Sequence, residues 1–162
     1  GKILQVQTTF SNTILNSTAD FDIISLSITP SFTSSKILFI YNGNVAQEGA
    51  SGQEWGFVAY RGATPISLGA AGSSNNQATF QAFGTDNTVS GTAGSSNGSY
   101  TITGILVDSP STTSATTYKL RAVHFYGSGA APAIVVGKSG WSGTGIEQNT
   151  NGYSLTLMEI AA

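Results

Sequence analysis

Asp108 to Ala122 reads DSPSTTSATTYKLRA: an Asp-Ser-Pro turn, a spacer of small hydroxyl residues, then alternation through Thr116, Tyr118, Leu120 and Ala122. Upstream, Thr29 to Phe39 reads TPSFTSSKILF, so both places run strand, Pro-Ser-x-Thr-Ser, strand. Pro30 and Pro110 each set φ near −65° and donate no N–H, which ends a strand, and the hydroxyls that follow can satisfy the turning backbone. The pattern predicts one sheet-building corner used twice. The first corner has no acid where the second has Asp108, which favours a shared corner role over a shared catalytic one. Asp108 is expected to accept local backbone N–H bonds.

Working outward, period-two alternation recurs along the chain. Leu4, Val6, Thr8 and Phe10 fall on one face of a first extended segment, with Ile3, Gln5, Gln7 and Thr9 on the other. Asn12 to Ala19 reads as a loop, and Phe21 to Ile28 as a strand burying Ile24, Leu26 and Ile28. Lys36 to Val45 follows the first corner, and its apolar run Ile37 to Tyr41 predicts burial on both faces. Trp55 to Tyr60 leads through Arg61-Gly62-Ala63-Thr64, a tight-turn signal, into Pro65 to Leu68. Tyr100 to Val107 enters the second corner, and Thr116 to Tyr126 leaves it as the longest β signal in the chain. Ala133 to Val136 is a short buried strand, and Tyr153 to Ile160 the last. Gly69 to Gly98, around the apolar island Phe80 to Phe83, and Gly137 to Gly152 read as long surface loops. No segment carries a helical apolar stripe. The expectation is an all-β domain over 1–162, a jelly-roll-like antiparallel sandwich of roughly ten short strands.

Composition bounds the chemistry. At 162 residues, one domain can bury roughly 70% of the surface its unfolded chain exposes. Cysteine is absent, which removes disulfides and thiolate metal sites. Charged residues make up 9% of the chain, far below the roughly 25% usual in soluble domains, and Ser, Thr, Asn, Gln and Gly take their place. A net charge of −2 with six scattered basic residues argues against nucleic acid. No apolar run approaches the roughly 20 residues that span a bilayer, so membrane insertion is not expected. Starting at Gly1 rather than Met, the chain is expected to be part of a longer protein or a small appendage protein.

His124 is the only imidazole, so any triad mechanism must run through it, yet it shares a strand face with Tyr118, Leu120 and Ala122 and reads as structural. Asp20 with Asp22, and Glu48 with Glu54, are the acidic pairs; acid–base work by two carboxylates needs a cleft and a raised pKa on one of them, and nothing in the sequence supports either. The calcium-loop spacing is missing, as are phosphate-binding glycine motifs. Catalytic, cofactor and metal sites are therefore expected to be absent. The informative residues are aromatic ones in polar settings: Trp141 inside Gly140-Trp141-Ser142-Gly143-Thr144-Gly145, and Trp55 after Gln53 and Glu54. Each suits stacking on a sugar ring or anchoring a protein interface, and both are candidate surface contacts.

Five segments in consistent order, GKILQVQTT, SITPSFTSSKILFIYNGNV, VAYRGATPISLG, VDSPSTTSATTYKLRA and YSLTLMEIAA, resemble a β-rich domain at the C-terminal ends of phage tail-fibre-like virion proteins of the marine and cyanobacterial type. The resemblance implies a non-enzymatic appendage on the virion exterior, homo-oligomeric and most often trimeric, joined to other virion proteins and able to contact a host surface glycan. It supplies no binding residues. The alternative from another class is a free-standing carbohydrate-binding module that uses Trp141 or Trp55. A polysaccharide-degrading enzyme is a third, disfavoured by the single His and unclustered carboxylates.

Overall fold

A computed structural model describes residues 1–48, 54–70, 77–80, 82–84, 99–126, 133–139 and 149–162. In chain order its strands are β1 (Ile3–Ser11), β2 (Leu15–Ser17), β3 (Phe21–Ile28), β4 (Lys36–Glu48), β5 (Glu54–Arg61), β6 (Thr64–Ile66) and β7 (Ala82–Gly84). They continue with β8 (Ser99–Asp108), β9 (Thr116–Tyr126), β10 (Ala133–Val136), β11 (Lys138–Ser139), β12 (Asn149–Thr150) and β13 (Tyr153–Ile160). Two antiparallel sheets form a sandwich. The first runs β1-β13-β4-β8, with β10 and then β2 continuing beside the second half of β4. The second runs β3-β9-β5, to which both β6 and β7 pair.

Four antiparallel pairs define the topology: β1 with β13, β3 with β9, β4 with β8, and β5 with β7. Numbered one to eight along the chain, these strands pair first with last, second with seventh, third with sixth and fourth with fifth. That wrapping, dealt alternately into two sheets, is the jelly roll. The core between the sheets takes a row from each long strand except β1: Ile28 from β3, Phe39 and Tyr41 from β4, Phe57 from β5, Ile102 from β8, Leu120 from β9 and Leu155 from β13. Phe80 reaches in from outside the strands and stacks 5.9 Å from Phe39. It fits because its neighbour on β8 is Gly104, where a Cβ would lie 2.6 Å from the Phe80 ring.

The two Pro-Ser corners are the links β3 to β4 and β8 to β9, and each carries the chain from one sheet to the other. Ile28 pairs with Thr116 and Ile37 with Asp108, so the corners lie side by side at one end of the sandwich. Sequence repetition here reflects a geometric pair. The hairpin of β5 and β6 closes with Arg61 opposite Thr64. Gly62 has φ 59°, as the first position of a two-residue type II′ loop requires.

Three expectations need correction. The Asn12–Ala19 loop contains β2, which is held by β10 rather than by its own periodicity. The run Ile37 to Tyr41 is not buried on both faces: Ile37, Phe39 and Tyr41 enter the core, while Leu38 and Ile40 point outward and are only partly covered. Gly137–Gly152 includes two short paired segments, β11 and β12.

Candidate functional site

Among the described residues, two of the three buried polar side chains, Ser35 and Glu159, lie at the end of the sandwich that carries the corners, and the third, Lys138, lies on β11. Gln5, Glu159, Ile37 and Asp108 form one row across β1, β13, β4 and β8, which sets the two carboxylates about 10 Å apart at the Cα atoms. Glu159 is 0% exposed. It accepts from Gln5 Nε2 at 2.7 Å, Ser31 N at 2.6 Å, Ser31 Oγ at 3.0 Å and Ser35 Oγ at 2.6 Å. Burial alone would push this carboxyl up, but the bonds from Ser35, Gln5 and Ser31 outweigh it and hold the group at about 2. The first corner is thus tied to the last strand through a carboxylate that stays ionised.

Asp108 does the corresponding work at the second corner, with partners that correct the sequence expectation. The bonds it accepts come from the other sheet rather than from the local turn. Arg61 Nη1 donates to its two oxygens at 2.9 and 2.8 Å and to the Ser109 carbonyl at 3.2 Å, and Tyr118 Oη donates at 2.7 Å. Burial, and then that bond to Asp108, push the Tyr118 phenol far above its ordinary value. Asp108, the last residue of β8, thereby pins the first sheet to β5 and β9. A general acid must release a proton near working pH, and Glu159, with every oxygen engaged and its carboxyl at about 2, is poorly suited to that role. The arrangement holds backbone.

The other sequence-selected residues scatter. Trp55 is not a surface contact: it is 0% exposed, because the inward position opposite His124 on β9 overrides its polar neighbours Gln53 and Glu54. Its ring centroid lies 5.0 Å from that of His124, and its Nε1 has no hydrogen-bond partner among the described residues. His124, half-buried beside the core as expected, donates its backbone N–H to Asp20 at 2.9 Å. Asp22 pairs with Lys119 at 2.8 Å and Arg121 at 3.2 Å on the outside of the second sheet. Glu54 is exposed. Trp141 and the side chain of Glu48 lie outside the described residues. Among the described residues no three His, Cys, Asp or Glu side chains group as a metal ion would need.

Two surfaces remain. On the second sheet, Tyr60, Pro65, Leu68 and Phe125 line an open groove of about 200 Å³, bordered by the Lys119 ammonium 5.4 Å from the Tyr60 ring centroid. On the first sheet, the outer face carries Ile3, Val6, Phe10, Ile105 and Val107, all at least half exposed. Sequence reading gave these residues strands but no role. The cue was the apolar content of both faces of β4.

No family model matches the chain, and no curated protein matches it.

Proposed function

We propose that the chain is a structural domain of a phage virion, a jelly-roll module of a tail-fibre tip or capsid appendage that assembles as a homotrimer with other virion proteins. It stands outside the particle, contacts the host surface and catalyses no reaction. One observation carries this reading. The five segments that resemble fibre-type domains fall on β1, on β3 through the first corner to β4, on the β5–β6 hairpin, on the second corner and on β13, which are the parts that build the scaffold. The unmatched stretches are Gly69 to Gly98 and the loop around Trp141, and β8, which follows the first of them, begins at the end of the sandwich away from the corners. Long segments that connect scaffold strands suit recognition by an appendage.

Antibody raised against residues 1–162 should decorate the outside of intact virions and slow their adsorption, and the purified domain should release no sugar from host polysaccharide. Labelling confined to host-cell lysate, or steady turnover, overturns the proposal. The carbohydrate-binding module remains the second reading on the strength of the Tyr60–Phe125 groove, although burial of Trp55 removes one of its two platforms. Glycan binding by a monomer, lost in Trp141→Ala or Tyr60→Ala, would favour it.

A further inference from the structure

We propose that the outer face of the β1-β13-β4-β8 sheet is covered in solution by a second copy of this chain. The inference rests on the assembly proposed above and names the surface through which it occurs.

Register places the apolar residues in rows. Val6, Met158, Leu38 and Val107 lie side by side across all four strands. The next row is Thr8, Thr156, Ile40 and Ile105, in which the two threonine hydroxyls bond each other at 3.1 Å. On the other side of the first row, Ile3 pairs with Ile160. Ile105 is 63% exposed, Ile3 54%, Val107 52% and Val6 50%. With Phe10 these side chains leave on the order of 500 Å² accessible, at the upper end of what a monomer displays in one patch. The partly covered Leu38, Ile40, Met158 and Ile160 and the surrounding threonines extend the face toward the roughly 800 Å² that each partner gives to a standard interface.

Charge selects the occupant. In the rows from Lys36 to Asn42 across these four strands, Lys36 at the rim is the only charged outward residue, and Glu48 falls beyond them beside β10, so a charged partner finds little to pair with on the apolar rows. A matching surface must be apolar, threonine-rich and neutral, and this chain, 9% charged, carries one. The outside of the second sheet offers the contrast: Asp22, Lys119 and Arg121 form ion pairs there, and Ser27 bonds Thr117 at 2.7 Å. These ion pairs lie on β3 and β9, and the outward rows of the first sheet carry none among the described residues. The strand β4 records the same demand in sequence, since its run Ile37 to Tyr41 is apolar on both sides while a single copy covers one.

Light scattering at roughly 100 μM, above the Kd of most specific interfaces, should give the wild-type chain a mass two or three times 16.6 kDa. Ile105→Glu and Val107→Asp, each at an exposed position, should keep the wild-type circular dichroism and fall to the monomer mass, because a buried unpaired carboxylate weakens association by about 100-fold or more. Ser25→Asp, exposed on the second sheet beside Lys119, should leave the mass unchanged. A monomeric wild type, or face variants that stay assembled, overturns the inference. Virion labelling decides the appendage reading separately, so the two can fail independently.

Discussion

Glu159→Gln keeps the side-chain shape and removes the charge on which the first corner converges. The wild-type carboxylate accepts four bonds of 2.6–3.0 Å from Gln5, Ser31 and Ser35. An amide presents one oxygen to them and turns its nitrogen, a donor, against donors. Hydrogen bonds to charged groups contribute about 1.5–3 kcal/mol each. Losing two, with partial rearrangement of the serine hydroxyls, should cost about 2–4 kcal/mol at pH 7. For a domain of this size that lowers Tm by roughly 5–15 °C. The pH dependence isolates the cause. Because the folded carboxyl lies at about 2 rather than 4.5, its stabilisation is fully present above about pH 4.5 and is lost as pH falls through about 2. The total is about 3 kcal/mol at most. Urea unfolding followed by circular dichroism at pH 7, 4.5, 3 and 2 should show a wild-type advantage that is constant down to about pH 4.5 and then shrinks. An advantage below about 1 kcal/mol at pH 7, or one that does not change with pH, refutes this account of the corner.

Tyr118→Phe deletes one of the bonds to Asp108 and leaves Arg61 in place, so chemical denaturation should show a loss of about 1–2 kcal/mol. Gly104→Val drives a side chain into the Phe80 ring and should destabilise by about 2 kcal/mol or more, visible as a lower Tm and altered near-ultraviolet dichroism. Asp22→Asn breaks two exposed ion pairs and should change stability by less than about 1 kcal/mol. A larger loss would show that the outside of the second sheet bears more of the fold than its exposure suggests.

Much of the frame was legible because alternation reports which face is wet. Thr116 to Tyr126 reads as a strand in sequence and is β9 in the structure, and the Pro-Ser repeat identified both crossings. What escaped depends on partners distant in the chain. The three residues of β2 owe their conformation to β10 and carry no pattern of their own. Glu159 looks like an ordinary polar residue near the chain end. Its burial follows from falling on the inward row of β13, and its tolerance of burial follows from Ser31, Ser35 and Gln5, which only the folded register brings to it. Trp55 misled through its polar neighbours, since period two on β5 sends it into the core whatever flanks it.

Met158, the only methionine, lies in the middle of the apolar row between Val6 and Leu38 and gives the most direct test of the covered face. Peroxide oxidation read by mass spectrometry should be slow in concentrated wild-type protein, speed up on dilution, and be fast at every concentration in Val107→Asp. A rate independent of concentration and equal in the two proteins would mean that nothing covers this sheet.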